Sequence, residues 1–217
     1  MSADGDGWRL VHEDAALLVV DKPAGLLAVP GRGDDKQDCL AARVQARFAD
    51  ARVVHRLDQA TSGLMLFARG AEVQRRLSAA FERREVGKRY VAVVAGRLAG
   101  TQGRIDAPLA ADWPNRPRRQ VDHQGGKPAL TLWWRSGVDD GDDGLERSRV
   151  ELEPHTGRTH QLRVHLAAIG HPILGDTLYA PPAVQALAPR LLLHARRLAL
   201  AHPTQRLALC FESAVPF

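Results

Sequence analysis

A group of side chains that could do chemistry, His55, Arg56 and Asp58, stands directly before the turn Ala60-Thr61-Ser62. β-Prone residues precede the group and an apolar run, Leu64–Phe67, follows the turn, which predicts strand, turn and strand. Side chains alternate along an extended strand, so Arg56 and Asp58 share one face and His55 lies on the other. Two interpretations stay open: an ion pair that closes a strand end beside the turn, or a carboxylate presented to a substrate.

Ser62 lies close enough in sequence to His55 and Asp58 to suggest a hydrolase triad. The predicted strand argues against it, because His55 and Asp58 point to opposite faces. No Gly-x-Ser-x-Gly segment occurs that would expose a serine beside an oxyanion hole. Neither a Walker motif nor a Gly-x-Gly-x-x-Gly loop follows any predicted strand. A hydrolase is therefore the least favoured class, and we expect no cofactor.

A second polar segment, EPHTGRTHQLRVH (153–165), contains a Thr-Gly turn that leads into a predicted helix. Its histidines and arginines are His155, Arg158, His160, Arg163 and His165. The histidines are five residues apart, which on a helix rotates each by about 140° from the last, so the spacing predicts no metal site. A helix N-terminus flanked by arginines suits an anion, either a phosphate or a carboxylate such as Asp58. Solvated surface arginines remain the alternative.

The composition favours a polyanionic partner. The 217 residues carry a formal net charge of +5, and one Gly-rich stretch, VDDGDDGLE (138–146), holds five acidic residues, so the rest of the chain is near +10. Of its 30 basic residues, 26 are arginine, which suits phosphate contacts but also follows from a GC-rich genome. Only Cys39 and Cys210 occur, at no zinc or redox spacing. With no apolar segment of membrane length and no leader-like N-terminus, we expect a cytoplasmic protein with reduced thiols.

The periodicity predicts an α+β fold with a mixed, largely antiparallel β-sheet and flanking helices, because the strands occur in clusters. The predicted strands are 8–12, 17–21, 53–57, 64–68, 89–95, 103–107, 129–135, 147–153, 193–200 and 207–211. The predicted helices are 39–48, 71–82, 159–169 and 182–187. Residues 137–148 are expected to form a solvated hairpin loop. No repeat divides the chain, so we expect a single domain over 1–217.

Taken together, the segments resemble the RluA family of pseudouridine synthases. HRLDQATSGLMLFA (55–68) is similar to the active-site motif of that family, GKRYVAVVAG (87–96) to its Lys-x-Tyr strand, and TGRTHQLRVHLAAIGHPILGDTLY (156–179) to its third motif. VVDKPAGLLAVPG (19–31) and LLLHARRLAL (191–200) also fit, so the resemblance covers nearly the whole chain. It implies the pseudouridine synthase catalytic fold, without the N-terminal S4 domain of longer relatives.

The resemblance also implies roles for residues. Asp58 corresponds to the carboxylate that acts on the sugar, as nucleophile or as base, and Arg158 to the arginine that pairs with it. Tyr90 corresponds to the tyrosine that stacks on the uracil and handles the C5 proton. Arg56 is then placed to fill the space of a flipped base, and Leu162 to pack against that base. Isomerisation of uridine involves no redox change, so neither a cofactor nor a metal is implied.

Within the family, the chain most resembles the short dual-specificity members that act on tRNA and 23S ribosomal RNA. This implies a uridine in the tRNA anticodon stem-loop and one in a 23S rRNA hairpin as targets. We expect the enzyme to act as a monomer. Arginines expected near the cleft for RNA contacts are Arg32, Arg104, Arg116, Arg118 and Arg119. A non-catalytic RNA-binding module, or a synthase with another rRNA or tRNA target, is the main alternative.

Overall fold

The computed structural model describes residues 7–141 and 144–217. The strands in these residues are β1 (Arg9–Glu13), β2 (Leu17–Lys22), β3 (Ala51–Val53), β4 (Ser62–Arg69), β5 (Gly87–Ala95), β6 (Gln102–Asp106), β7 (Leu109–Ala111), β8 (Arg119–Val121), β9 (Leu130–Asp140), β10 (Glu146–Pro154), β11 (Leu193–Ala201) and β12 (Ala208–Glu212). The helices are α1 (Leu40–Arg47), α2 (Gly70–Glu82), α3 (Gln161–Ala168) and α4 (Pro182–Gln185), with a short 3-10 turn at Asp34–Lys36. The predicted α+β class with a largely antiparallel sheet is confirmed.

The chain forms two compact units. The first contains the described residues up to Lys88 together with His194–Pro216, and the second contains Arg89–Leu193 and Phe217. A single domain over 1–217 therefore stays a prediction. In the described residues, no helix has the length and apolar character needed to cross a membrane.

In the first unit, the strands follow the order β1-β2-β4-β11, with β3 added on β4 and β12 on β11. All of these pairs are antiparallel except β4 with β11, where His194 is opposite Ser62. Leu17 and Val19 of β2 and Leu66 of β4 pack with helix α2 in one core cluster. The alternate residues of these strands are buried as well, so both faces of the sheet are covered. This explains why β2 and β4 are continuous apolar runs.

In the second unit, β5, β10, β9 and β6 form an antiparallel sheet in that order. A separate two-stranded hairpin, β7 with β8, packs on helix α3 through Leu109, Val121 and Val164. Short strands without an apolar alternation carry little signal, and this hairpin was absent from the sequence prediction.

One predicted strand is wrong over most of its length. Strand β3 covers Ala51–Val53, whereas the sequence predicted a strand over 53–57, so the two share only Val53. Where the ladder to β4 would continue, the N–H of Leu66 donates to the ring Nε2 of His55 at 2.9 Å. A side chain has replaced the backbone partner, so the segment after Val53 stays outside the sheet.

The start of helix α3 and the length of one loop also differ from the prediction. Helix α3 begins at Gln161 and not at Thr159, because His160 has a left-handed backbone with φ of 56°. The predicted loop 137–148 is shorter, since the β9–β10 ladder extends to the pair Asp140 and Glu146. Residues 142 and 143 of that loop, and residues 1–6, on which the expected lack of a leader rested, lie outside the described residues.

Candidate active site

Asp58 lies on the loop between β3 and β4, in the first unit. Its side chain is partly exposed, that of Leu57 is buried and that of Arg56 is exposed, as an extended segment requires. The carbonyl of Asp58 accepts the N–H of Thr61 at 3.1 Å, which closes the turn before β4. Arg56 has no ion pair among the described residues. Its guanidinium therefore does not close the strand end by pairing with Asp58.

A buried lysine holds this loop. Lys22 is only 1% exposed, and its Nζ donates to the carbonyl of Gln59 at 3.0 Å and to two carbonyls of the turn after β2 at 2.9 and 2.7 Å. The carbonyl of Gln59 also accepts the N–H of Gly25 at 2.9 Å. The ammonium thus ties both turns together beside Asp58. Sequence reasoning missed this residue, although a lysine between a buried strand and a Pro-Ala-Gly turn was a usable signal.

Gly63 adds a second constraint on the loop. Its φ is +114°, and a side chain at this position would collide with the backbone of Ala195 in β11. Only glycine fits such a close approach. The turn after Asp58 therefore packs directly against β11, the parallel neighbour of β4.

His55 serves as an anchor for the loop. Besides accepting the Leu66 N–H, its ring stacks on Phe81 with centroids 4.5 Å apart. Burial, reinforced by the charge of Lys88, lowers the pKa of His55 to about 3. The hydroxyl of Ser62 lies 2.9 Å from Nδ1 of a different histidine, His194. The hydrolase triad considered from the sequence is therefore not assembled.

The depressed pKa of His55 predicts an acid-sensitive fold. The unfolded chain takes up a proton at this residue near pH 6.5, whereas the folded chain resists it until about pH 3. Stability is therefore fully present above about pH 6.5 and falls by up to about 1.4 kcal/mol per pH unit below it. Urea unfolding between pH 7 and 4 measures the slope. His55→Gln, which keeps an acceptor but does not titrate, should give a flatter profile. Equal slopes in both proteins would contradict the assignment.

In the second unit, hydrogen bonds to the side chain of Gln161 hold the turn that carries Arg158. The N–H of Arg158 and the hydroxyl of Thr156 both donate to Oε1 of Gln161, at 3.1 and 2.6 Å. The buried Gln161 amide donates in turn to the carbonyl of Leu130 and the hydroxyl of Thr131, both at 3.0 Å. Nε of Arg158 donates to a carbonyl before β9 at 3.1 Å, while the side chain remains exposed. Gln161, which the sequence did not single out, therefore fixes the orientation of this turn.

The three histidines of this segment take separate roles. His155 is exposed and lies 3.2 Å from Glu153. His160 lies 2.6 Å from the hydroxyl of Tyr179. His165 is buried, which lowers its pKa, and bridges the Thr131 hydroxyl and a carbonyl after β6 at 2.9 Å each. Within the described ranges, no group of three or more His, Cys, Asp or Glu side chains is arranged to hold a metal ion.

Tyr90 and Leu162 lie in the same unit as Arg158. Tyr90 is partly buried in β5, opposite Leu152 of β10, and β10 leads directly into the turn that carries Arg158. Leu162 is buried in the first turn of α3. The structure thus groups Arg56 and Asp58 on one loop of the first unit, and Tyr90, Arg158 and Leu162 on neighbouring elements of the second.

Comparison with known proteins identifies the family. Residues 16–168 match the family described as RNA pseudouridylate synthase. The chain belongs to this family. It is 45% identical over 211 residues to the Escherichia coli K12 dual-specificity RNA pseudouridine synthase RluA, with 97% of this chain and 94% of that protein covered. The Yersinia pestis protein of the same name is 48% identical over 194 residues, 89% of this chain and 92% of that protein.

Solved structures agree with the assignment. Human RNA pseudouridylate synthase domain containing 1 superposes with a TM-score of 0.80 at 28% identity, covering 98% of this chain and 86% of that chain. Human RNA pseudouridylate synthase domain containing 4 superposes with a TM-score of 0.73 at 25% identity, covering 95% of this chain and 88% of that chain. The protein is thus a pseudouridine synthase, an isomerase of uridine in RNA, as the resemblance implied.

The arginines predicted to contact RNA are distributed over this synthase. Arg32, in the first unit, is exposed. In the second unit, Arg104 pairs with Asp106 at 2.5 Å on β6, the strand that precedes the β7–β8 hairpin. Arg116, Arg118 and Arg119 all belong to that hairpin. It therefore carries more of the predicted RNA-contacting arginines than any other element.

Proposed function

We propose that this pseudouridine synthase isomerises uridines in RNA stem-loops, one in the tRNA anticodon arm and one in a hairpin of 23S rRNA, with Asp58 as the reacting carboxylate. The observation that carries the proposal is the anchoring of the Asp58 loop. Lys22, Gly63 and His55 fix its backbone, yet the Asp58 side chain stays partly exposed. A rigid support beneath an accessible carboxylate is what catalysis on a bound sugar requires.

The reaction breaks the N1–C1′ bond, turns the uracil and joins C5 to C1′. N1 gains a proton and C5 loses one, so atoms and electrons balance without a cofactor. We assign the attack on the sugar to Asp58, as nucleophile or as base. Arg158 favours the charged carboxylate, and Tyr90 supports the uracil and handles the C5 proton. Leu162 supplies an apolar contact to the base.

Arg56 is assigned to base flipping. A uridine must leave its stack to react, at a cost of a few kcal/mol that is lowest in loops. The guanidinium of Arg56 is exposed and has no ion pair in the described residues, so its plane is available to occupy the vacated space. Stacking on flanking bases would offset part of the unstacking cost.

The targets are inferred from the relatives and from charge. The Escherichia coli and Yersinia pestis relatives are both named dual-specificity RNA pseudouridine synthases. A basic surface such as the hairpin cluster of arginines suits a compact RNA with phosphates on both sides of the uridine. Such RNAs are cytoplasmic in bacteria, and we place the enzyme there, acting as a monomer with one domain.

A direct assay tests the substrate. Purified protein, incubated with an isolated anticodon stem-loop transcript, is expected to convert one uridine nearly as fast as in whole tRNA, because the loop already exposes its bases. Pseudouridine is detected by carbodiimide mapping or mass spectrometry. A 23S rRNA hairpin serves as the second substrate and a fully paired duplex of equal length as the control. Modification of some other RNA, but of neither hairpin, would overturn the targets and leave the family intact.

A further inference from the structure

The turn between β7 and β8 exposes a tryptophan. Trp113 is 68% exposed, more than any other large hydrophobic residue in the described part of the chain. The guanidinium carbon of Arg116 lies 3.5 Å from the centroid of its ring, in stacking contact. The other large exposed hydrophobic residues belong to distant parts of the sequence. Trp113 is therefore a single aromatic among cations, unlike the broad apolar patch of a protein interface.

This turn is held in one conformation. The N–H of Asp112 donates to the carbonyl of Arg118 at 3.1 Å, and the N–H of Arg118 donates to the carbonyl of Asn115 at 3.0 Å. The Asn115 amide donates to both carboxylate oxygens of Asp112, at 3.1 and 3.0 Å. The turn can therefore bind a ligand with little further loss of conformational entropy.

The base of the hairpin is anchored as well. The N–H of Arg119 donates to the hydroxyl of Tyr179 at 2.8 Å, and the guanidinium of Arg118 lies 5.6 Å from the Tyr179 ring. Leu109 and Val121 join the core cluster that includes Val164 of α3. The exposed ring is thus presented by a supported hairpin and not by a loose loop.

We propose that Trp113 is a stacking site for an unpaired RNA base other than the target uridine, with Arg116 covering the ring and Arg118 near the adjoining phosphate. The proposal rests on the proposed function and adds a second point of contact to it. An exposed indole beside arginines is the combination that holds single-stranded bases without reading their sequence. One flipped uridine and one base stacked on Trp113 would together fix the register of a loop on the enzyme.

Paired changes in protein and RNA test the contact. The RNA is an anticodon stem-loop with cytidine at the target position, so that it binds without turnover, and each other loop nucleotide is made abasic in turn. One abasic position is expected to weaken binding to the wild type by about tenfold and to have no effect on Trp113→Leu. Trp113→Phe should retain most of the affinity. Quenching of tryptophan emission by RNA should also diminish in Trp113→Leu.

The control is Trp134→Phe. Trp134 is a second tryptophan under an arginine, Arg89 at 4.2 Å, but this arginine is paired with Glu153 across the sheet. The abasic penalties should be unchanged in this variant. Equal penalties in wild type and Trp113→Leu, in an enzyme that does modify stem-loops, would overturn the stacking site alone. A wild type that neither binds nor modifies any stem-loop would overturn the proposed function together with this inference.

Discussion

Asp58→Asn is expected to lower the rate of pseudouridine formation by at least about 10³-fold, since no other group replaces a reacting carboxylate. The amide keeps the size of the side chain but can neither attack C1′ nor take a proton. Binding of RNA should stay within about tenfold, because phosphate contacts dominate affinity. Single-turnover rates and filter-binding constants, measured on the same stem-loop, separate the two effects.

The matched control is Asp50→Asn, in the same unit. Asp50 is an exposed carboxylate paired with Arg69 at 2.9 Å, and its loss should leave turnover unchanged. Full activity of Asp58→Asn would remove Asp58 from the mechanism. Activity lost together with RNA binding would instead indicate a structural role for the loop. A non-catalytic RNA-binding module would show no turnover in any variant.

Asp176→Ala is expected to lower the free energy of unfolding by about 3 to 5 kcal/mol, because it removes the carboxylate that binds a buried guanidinium. Arg163 is 4% exposed and Asp176 is fully buried, and the guanidinium binds both carboxylate oxygens, at 2.8 and 2.6 Å. Oδ1 of Asp176 also accepts the N–H groups of Leu178 and Tyr179, at 2.9 and 3.1 Å. Urea denaturation followed by far-UV circular dichroism gives the difference.

Two variants identify the cause of that loss. Glu85→Ala removes one partner of the exposed pair with Arg83 and should lower the free energy of unfolding far less than Asp176→Ala does. The double variant Arg163→Met with Asp176→Leu buries no charge and should be more stable than Asp176→Ala. A loss for Asp176→Ala no larger than that for Glu85→Ala would show that the buried pair contributes little.

Much of the fold was predictable, and the reason lies in burial. Strands such as β2 and β4 are apolar along their whole length because both faces of the sheet are covered, and such runs are visible in the sequence. The end of β3 was not predictable. It depends on the ring of His55, which accepts a hydrogen bond from the N–H of Leu66, a residue eleven positions away. The periodicity of apolar residues does not show where a side chain takes the place of a backbone partner.

The candidate site was also predicted only in part. Asp58, Tyr90 and Arg158 were identified through motifs, and the roles given to them stay predictions. The supporting residues were missed, because their function is to bind backbone. Lys22 and Gln161 form hydrogen bonds with backbone carbonyl and N–H groups of turns. The sequence shows these side chains but not the backbone groups that they bind. Trp113 was missed because the β7–β8 hairpin has no periodic signal.

The first unit is built from two distant stretches of chain, whereas the second is nearly continuous. During synthesis, Arg89–Leu193 is available to fold as soon as it leaves the ribosome. The Asp58 loop has to wait, because Gly63 packs against Ala195 and Ser62 is paired with His194, residues made more than a hundred positions later. Translation therefore produces the Asp58 loop long before the strand β11 that fixes its backbone, and the loop stays without this support while the second unit is made.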